Sequence, residues 1–555
     1  FLIQSYCIFA VFIGLGIAFA VALAILWRRR SLIVPAVAAG VLMLLPLAPI
    51  VRNAYDQDLI RTLGGAEQNG HDFGWQFGRY ILEGADAITK ELKPGEPPLP
   101  NPQYPPAMEH GAIFFGGTDP GRFVLTYMVF SAKVRPDVYV LCQNACADDS
   151  YMRVMRDLYG DKIWLPSTSD RNEAFRQYAD DAGIKTDRLC VQGVMMVIVV
   201  DGYVCRMILD HNKSSHSFYV EENYVIPWMY PHLEPHGLIF KLNAEPLPEL
   251  TPAMVNNDTA FWTWYVDRLT ADRKFLRDPI AQRTFSKLRC AIAGLYEFRK
   301  MWKESERAYL QAVRLCPGSP EANFRLATMH LHRGKYDDAK RIMENYSARN
   351  PEESRATEMI RQIDQRREML KRMGELAQEL SRGSGTLKSV MELIQLYKAV
   401  GNTKGFSQLA RNVTDNPKVP IEPQMQIVRW CAESRLAEDM DYAAKAVLSR
   451  IPSNAPPELQ PGYYREISEK YAMLGKLTEA SEAMSSYLSL SPQDFKAWHE
   501  LGVMYAYLNR HDDSIKAFKE AIRLARDRER EQIRSDVRLK QFMDRSKYMK
   551  LVEER

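Results

Sequence analysis

The chain's 555 residues include 73 lysines and arginines against 69 aspartates and glutamates, a net charge of +4. That balance excludes the one-signed field of a nucleic-acid binder, and the length provides for two or three domains with buried cores. The eight cysteines, Cys7, Cys142, Cys146, Cys190, Cys205, Cys290, Cys316 and Cys431, follow no CxxC or other metal-ligand spacing, so neither a metal nor a cofactor is expected. They read as small buried thiols, with Cys142–Cys146 or Cys190–Cys205 the pairs that an oxidising compartment would permit.

Phe1 to Trp27 and Ser31 to Val51 carry no charged side chain. At about 1.5 Å per residue each run is long enough to cross a hydrocarbon core of about 30 Å, which predicts a transmembrane hairpin over residues 1–52. Arg28, Arg29 and Arg30 make up the turn between them. Positive charge stays cytoplasmic, so everything after Val51 is expected outside the cytosol. The chain opens on Phe1 inside an apolar run and reads as the C-terminal part of something longer.

Residues 53–250 read as an α/β domain, Rossmann-like with a mostly parallel sheet. Trp75, Phe77, Tyr80 and Ile81 give an apolar side to a helix ahead of Gly84. Seven prolines from Pro94 to Pro106 exclude helix and sheet interior and predict an extended surface loop, a spacer between ordered parts or else a segment for a partner's groove. Ala112 to Phe115 and Asp137 to Cys142 are apolar, strand-like runs. Between them the spacing predicts a helix capped by Asp119, with Pro120 in its first turn and Phe123, Tyr127 and Phe130 on one apolar side. Such a unit makes a parallel strand pair. Asp148 and Asp149 start a helix that runs to Tyr159 and stops at Gly160. Asp170 and Glu173 form a capping box for a helix from Asn172 to Asp181. Val191 to Val200 and Tyr203 to Leu209, split by Asp201-Gly202, give a hairpin signal, although Val194 to Val200 also passes for helix.

Candidate binding residues lie around the first strands. Gly116-Gly117-Thr118 before a helix start is a place where backbone N–H groups cradle an anion, though the P-loop lysine and the GxGxxG spacing are absent. Asp119 and Asp148 fall on the C-terminal side of strands, where open α/β sheets place ligands; both also stand where a helix needs a cap. Arg135 and Asp137 flank Pro136 at the start of a strand, a turn with a local ion pair or a ligand contact. His211, His216, His232 and His236 cluster in sequence, but Pro231 and Pro235 break the helix that a metal pair at i, i+4 would need. Tyr219, Tyr224, Trp228 and Tyr230 can line a sugar site or pack a core. No catalytic residue follows from spacing.

Ala244 to Pro252 is a proline-containing linker, and beyond it residues 251–530 read as an all-α solenoid. Pro317 and Pro351 lie one 34-residue period apart, each preceded by the same pattern: Tyr296 or His330, Ser305 or Ala339, Tyr309 or Met343. Trp498, Leu501, Gly502, Tyr505, Ser514, Phe518 and Ala521 stand at tetratricopeptide-repeat positions, and Tyr471, Gly475, Ala480 and Pro492 mark the repeat before. Leu393, Tyr397, Gly401 and Pro417 suggest another, shifted by a residue. Residues 531–555 read as a charged, solvated helix.

Two blocks carry a resemblance. GAIFFGGTDPGRF followed by RPDVYVL, and NKSSHSFYVEENYVIPWMYPHLEPHGLIFKLN from Asn212 to Asn243, resemble a family of bacterial multi-pass membrane proteins related to the animal transmembrane protein O-mannosyltransferase. The resemblance implies a GT-C-like glycosyltransferase in the bacterial inner membrane, taking sugar from a polyprenyl-phosphate carrier. Its catalytic acid would sit in a loop between early membrane helices, upstream of this sequence. The soluble parts would then orient a protein or peptide acceptor held in the repeat groove. The alternative is a membrane-anchored, non-catalytic scaffold for envelope proteins.

Overall fold

The computed structural model describes residues 72–181, 194–221 and 226–534, with scattered positions between 14 and 56. The chain divides into two compact units, Phe1–Arg361 and Gln362–Arg555. No helix among the described residues is long and apolar enough to cross a membrane. That finding corrects the fold class and the integral-membrane localisation expected from residues 1–52, most of which lie outside the described residues. An uncharged run of spanning length is necessary for a membrane helix but not sufficient.

In the first unit, α1 (Phe73–Glu83) and α2 (Ala85–Glu91) precede the proline segment. The sheet has five short strands: β1 (Ile113–Gly116), β2 (Tyr139–Cys142), β3 (Phe218–Val220), β4 (Leu233–His236) and β5 (Ile239–Leu242), in the order β2-β1-β3-β5-β4. β1 is parallel to both β2 and β3, whereas β5 runs antiparallel to β3 and β4. The mostly parallel Rossmann-like sheet is thereby corrected to a small mixed one. The cause is α6 (Val194–Asn212): the helical alternative for Val194 to Val200 holds and continues through Asp201-Gly202, in place of the hairpin those two residues signal. Gly202 works there as a packing site: a Cβ on it would meet Ile226 Cγ2 at 2.7 Å, and its carbonyl accepts from Trp228 Nε1 at 3.0 Å.

The helix after β1, α3, is built largely of π-type turns over Pro120–Val124 and Tyr127–Ser131, with Ala132 N–H reaching back five residues to Tyr127 O at 2.9 Å. Leu125, Met128 and Val129, at helical spacing on the opposite side, are buried, while the apolar Phe123–Tyr127–Phe130 side is exposed. α4 (Asp149–Tyr159) starts and stops as expected. α5 (Thr168–Asp181) begins a turn earlier than expected, because Ser167 and Asp170 cap each other: Ser167 N–H donates to Asp170 Oδ2 at 2.8 Å and Asp170 N–H to Ser167 Oγ at 3.3 Å.

The proline segment has no helix or strand, yet it is no spacer. Leu99, Tyr104 and Met108 are buried in the core. Tyr104 Oη donates to Pro235 O at 3.2 Å and accepts from Gly237 N at 3.0 Å, and Pro97 O accepts from Trp264 Nε1 at 3.0 Å. Fixed φ angles exclude regular structure but leave every proline carbonyl available as an acceptor. One apolar core runs from Phe73 to Met329 and takes in α7 (Pro252–Ala271), α8 (Pro279–Phe298) and α9 (Trp302–Leu315). Cys142, Cys146, Cys205, Cys290, Cys316 and Cys431 are buried and form no disulfide among the described residues, while Cys7 and Cys190 lie outside them.

Helix pairs fill the rest. After α8–α9 come α10 (Pro320–His332) with α11 (Tyr336–Arg349), and α12 (Ser354–Ser381), which falls across the division between the units. The second unit contains α13 (Leu387–Val400) with α14 (Thr403–Asp415), and α15 (Ile421–Glu433) with α16 (Ala437–Asn454). It continues with α17 (Gln460–Met473) and α18 (Leu477–Leu490), then α19 (Phe495–Tyr507) and α20 (His511–Leu524), and α21 (Asp527–Arg534). The charged tail predicted over 531–555 lies almost wholly outside the described residues.

One turn recurs in these pairs. The first helix ends on a left-handed residue: Lys300, Gly334, Gly401, Arg435, Gly475 or Asn509, with φ of 59, 70, 75, 55, 74 and 60°. The next residue's N–H closes a bond to the carbonyl five residues back, as in Met301 to Tyr296, Lys335 to His330, Gly401's successor Asn402 to Tyr397, and Arg510 to Tyr505, each at 2.8–2.9 Å. This Schellman closure satisfies carbonyls that the helix end leaves open and aims the second helix back along the first. Tight crossings are set by small residues: Ser305 Oγ donates to Ala293 O at 3.0 Å, and Ser514 Oγ to Gly502 O at 2.7 Å.

Candidate functional site

At the C-terminal end of β1 the chain turns through Gly117 and Thr118 into α3. The anion cradle anticipated there is filled by the chain itself, because Glu221, immediately after β3, places its carboxylate in it. Glu221 accepts from Gly117 N at 2.8 Å, Thr118 N at 2.7 Å, Gly121 N at 3.1 Å and the Thr118 hydroxyl. Parallel pairing of β1 with β3 delivers it, since Phe115 pairs with Val220 and the next residue lands beside the loop. A Cβ on Gly121 would collide with this carboxylate, so glycine is required at that point. Burial pushes the Glu221 carboxyl above its ordinary range, against the pull of the four donors.

Around the cradle, Asn144 ties the end of β2 to the loop after β1. Its Oδ1 accepts from Arg122 Nη2 at 2.8 Å and its Nδ2 donates to Gly117 O at 3.3 Å. Asp201 on α6 closes the same end of the sheet. It accepts from Ala147 N at 2.8 Å, is fully buried, and its Oδ2 has no hydrogen-bond partner among the described residues. Desolvation raises its carboxyl to about 7.

The five predicted residues do not converge. Thr118 is in the cradle. Asp119 follows it but is exposed and already helical at φ −59°, ψ −44°, and its side chain makes no cap bond, which corrects the capping expectation. Asp148 caps α4 by accepting from Tyr151 N at 2.8 Å, and the bond it accepts from the Ser150 hydroxyl, with that one second, holds its carboxyl below the usual range. Arg135 and Asp137 are at the opposite end of the strands. They form a two-point ion pair, Nε to Oδ1 at 2.9 Å and Nη2 to Oδ2 at 2.8 Å. Arg135 also donates to the carbonyls of Leu82, Met108 and Glu109, and Asp137 accepts from Gly111 N at 3.0 Å. This pair ties α1 and the residues just after the proline segment to the sheet, and Arg135 holds the Asp137 carboxyl far below the ordinary range.

The histidines take separate structural roles: His211 stacks on Trp164 at 3.7 Å, His216 bonds Gly111 O at 2.7 Å, and His232 bonds Asn243 O at 2.9 Å. His236 is buried, and desolvation lowers it to about 4. Of the aromatic set, Tyr219 is buried, Trp228 receives Arg206 at 4.9 Å over its ring, Tyr230 lies on Phe298 at 5.0 Å, and Tyr224 is outside the described residues. Sequence reasoning missed Glu221. The signal was there, a loop needing an anion and a pair of glutamates, Glu221-Glu222, directly after an apolar strand.

The larger surface belongs to the helix pairs. In the second unit the first helices of adjacent pairs exchange charges: Arg429 on α15 grips Glu466 on α17 at 2.6 and 2.9 Å, and Arg465 on α17 reaches Asp494, the cap of α19, at 2.6 Å. Tyr463 and Arg429 both contact Glu422, at 3.0 and 2.6 Å. Residues 308–341 and 495–528 each match a family model described as the tetratricopeptide repeat.

The chain carries tetratricopeptide repeats. The matched stretches run from the middle of α9 to the start of α11 and over α19 and α20, where the turns at Gly334 and Asn509 are found. No curated protein matches the sequence. Among solved structures, the Cut9–Hcn1 hetero-tetramer of the APC/C is similar at 10% identity over 51% of this chain and 51% of that one, with a TM-score of 0.19. MamA from Desulfovibrio magneticus RS-1 is similar at 13% identity over 43% and 94%, with a TM-score of 0.16. The TPR2AB domain of yeast Sti1, in complex with pHSP90, is similar at 14% identity over 49% and 99%, with a TM-score of 0.18. Superpositions that shallow carry no weight; the repeat assignment rests on the family matches and the helix-pair geometry. Neither the family matches nor these structures relate the chain to the membrane transferase family that residues 111–151 and 212–243 resemble.

Proposed function

We propose that the chain is a binding scaffold whose tetratricopeptide repeats hold a segment of a partner protein along the face made by their first helices. The observation that supports this most is the recurrence of one turn geometry in helix pairs, two stretches of which match the repeat family. Stacked repeats present a continuous surface rather than a closed pocket, and extended or helical segments fit such surfaces. On α15 and α17 the arginines are already paired with carboxylates, so the partner segment that suits this face carries both signs of charge and exchanges ion pairs with it. Delivering an acceptor to a lipid-phosphate sugar transferase would be a special case of this role.

Selection of a displayed peptide library on the full chain tests the reading. Selected peptides should bind at least tenfold more weakly to Arg429→Ala and Arg465→Ala chains, and unchanged to Lys516→Ala on the second helix of the last pair. A library that yields no peptide sensitive to the first two substitutions would sink the proposal.

A further inference from the structure

α3 turns an apolar side to solvent, with Phe123 59%, Tyr127 55% and Phe130 37% exposed. Phe130 stacks on Tyr159 with ring centroids 6.2 Å apart, which joins α3 to α4, and α4 in turn exposes Val154 and Leu158. α1 lies on the other flank of α3, where a Cβ on Gly78 would meet Val124 Cγ1 at 2.9 Å, and it exposes Trp75. Isolated exposed apolar side chains are ordinary, but an aromatic stripe spread over packed helices marks a surface that something covers.

The chain supplies an occupant. Phe1 to Trp27 and Ser31 to Val51 have no charged residue. Leu15, Phe19, Leu23 and Leu26, helical and at three- or four-residue spacing, are exposed by half or more. Among its described residues the first unit therefore has two exposed apolar faces. The N-terminal segment also enters at the right place, because α1, which begins at Phe73, rests directly on α3. The stretch from Asp56 to Asp72 reaches up to about 55 Å when extended, several times the length of the exposed stripe. Tethering makes the encounter intramolecular, at an effective concentration of roughly millimolar, well above that of any free partner.

We propose that the exposed aromatic side of α3, extended by α4 and Trp75, is the docking surface for the chain's own apolar segment, residues 1–51. This inference is independent of the repeat-scaffold reading and goes beyond it.

A photo-crosslinking phenylalanine analogue placed at Tyr127 in the full chain tests it, using an equal mixture of unlabelled and nitrogen-15-labelled chains and peptide mapping by mass spectrometry. Crosslinks should fall in residues 1–51 and join peptides of like isotope. Phe123→Lys combined with Phe130→Lys, both at exposed positions, should lower their yield at least fivefold. Crosslinks that join unlike isotopes would assign the face to a second copy, and crosslinks to added phosphatidylcholine vesicles would assign it to lipid. Either outcome overturns the proposal, as do crosslinks confined to residues 72–534, no crosslink at all, or a yield that the double substitution leaves unchanged.

Discussion

Gly121 and Glu221 are a pair in which each residue explains the other. Adding a methyl at Gly121 forces the buried carboxylate out of its cradle, so Gly121→Ala should cost about 2–3 kcal/mol. Glu221→Ala leaves the N–H groups of Gly117, Thr118 and Gly121 without their acceptor and should cost about 3 kcal/mol. Once the carboxylate is gone the methyl has room, so the double variant should lose at least about 1 kcal/mol less than the sum, measured by urea unfolding of all four chains. Asp201 makes a second prediction. Its carboxyl is raised to about 7 in the fold against about 3.9 in the unfolded chain, so between those values the native state binds more protons and stability falls as pH rises. Asp201→Asn removes that loss and should stabilise the chain on the order of 3 kcal/mol at pH 8, with a smaller gain at pH 5. His236, lowered to about 4, gives the opposite slope: its contribution is present above about 6.5 and is lost as pH falls towards 4. Local signals were legible at this scale. Asp148 was readable as a cap because its acceptor role is satisfied three residues on, whereas the bond from Gly117 to Glu221 spans 104 residues and no spacing rule reaches across that separation.

The repeating element is the turn, and its legibility varied with the residue that occupies it. Gly334, Gly401 and Gly475 announce a left-handed position, but Lys300, Arg435 and Asn509 hold the same conformation without announcing it. Glycine is therefore the favoured residue at all of these turns. Gly475→Ala should destabilise by about 1 kcal/mol, while Arg435→Gly should be neutral or stabilise by about 0.5 kcal/mol, read as shifts in thermal midpoint. Two elements in the first unit were misread for physical reasons that lie outside their own sequence. The Asp-Gly of α6 has the composition of a turn, yet Ile226 and Trp228 pack on its glycine and keep the helix continuous. The aromatic residues of α3 have the spacing of a buried side in a 3.6-residue helix, but Leu125, Met128 and Val129 give the opposite side the same spacing, and that is the side packed into the core.

At the scale of the first unit, sheet and helix pairs share one core, and a buried charge network lies within it. Asp258 on α7 and Arg289 on α8 pair at 2.8 Å with almost no exposure, Tyr296 donates to the same carboxylate at 2.8 Å, and Arg289 lies 5.1 Å from the Trp262 ring. Arg289→Met strands a buried carboxylate and should cost about 3–5 kcal/mol. Because the core is shared, hydrogen exchange followed by mass spectrometry should speed up in β1 and in α8–α9 together rather than in the helices alone. That short apolar strands are followed by a 34-residue helical repeat was readable from periodicity, because the two patterns differ in kind. The shared core was not, because proline density at 94–106 describes the backbone and says nothing of which tryptophan its carbonyls will meet. For protein engineering the proline segment is thus the wrong place for an inserted tag or a new pair of chain ends, despite a composition that invites one. Tyr104 and Trp264 hold it like a stitched seam, and the exposed Gly383-Ser384-Gly385 stretch is where a foreign sequence would be carried without loss.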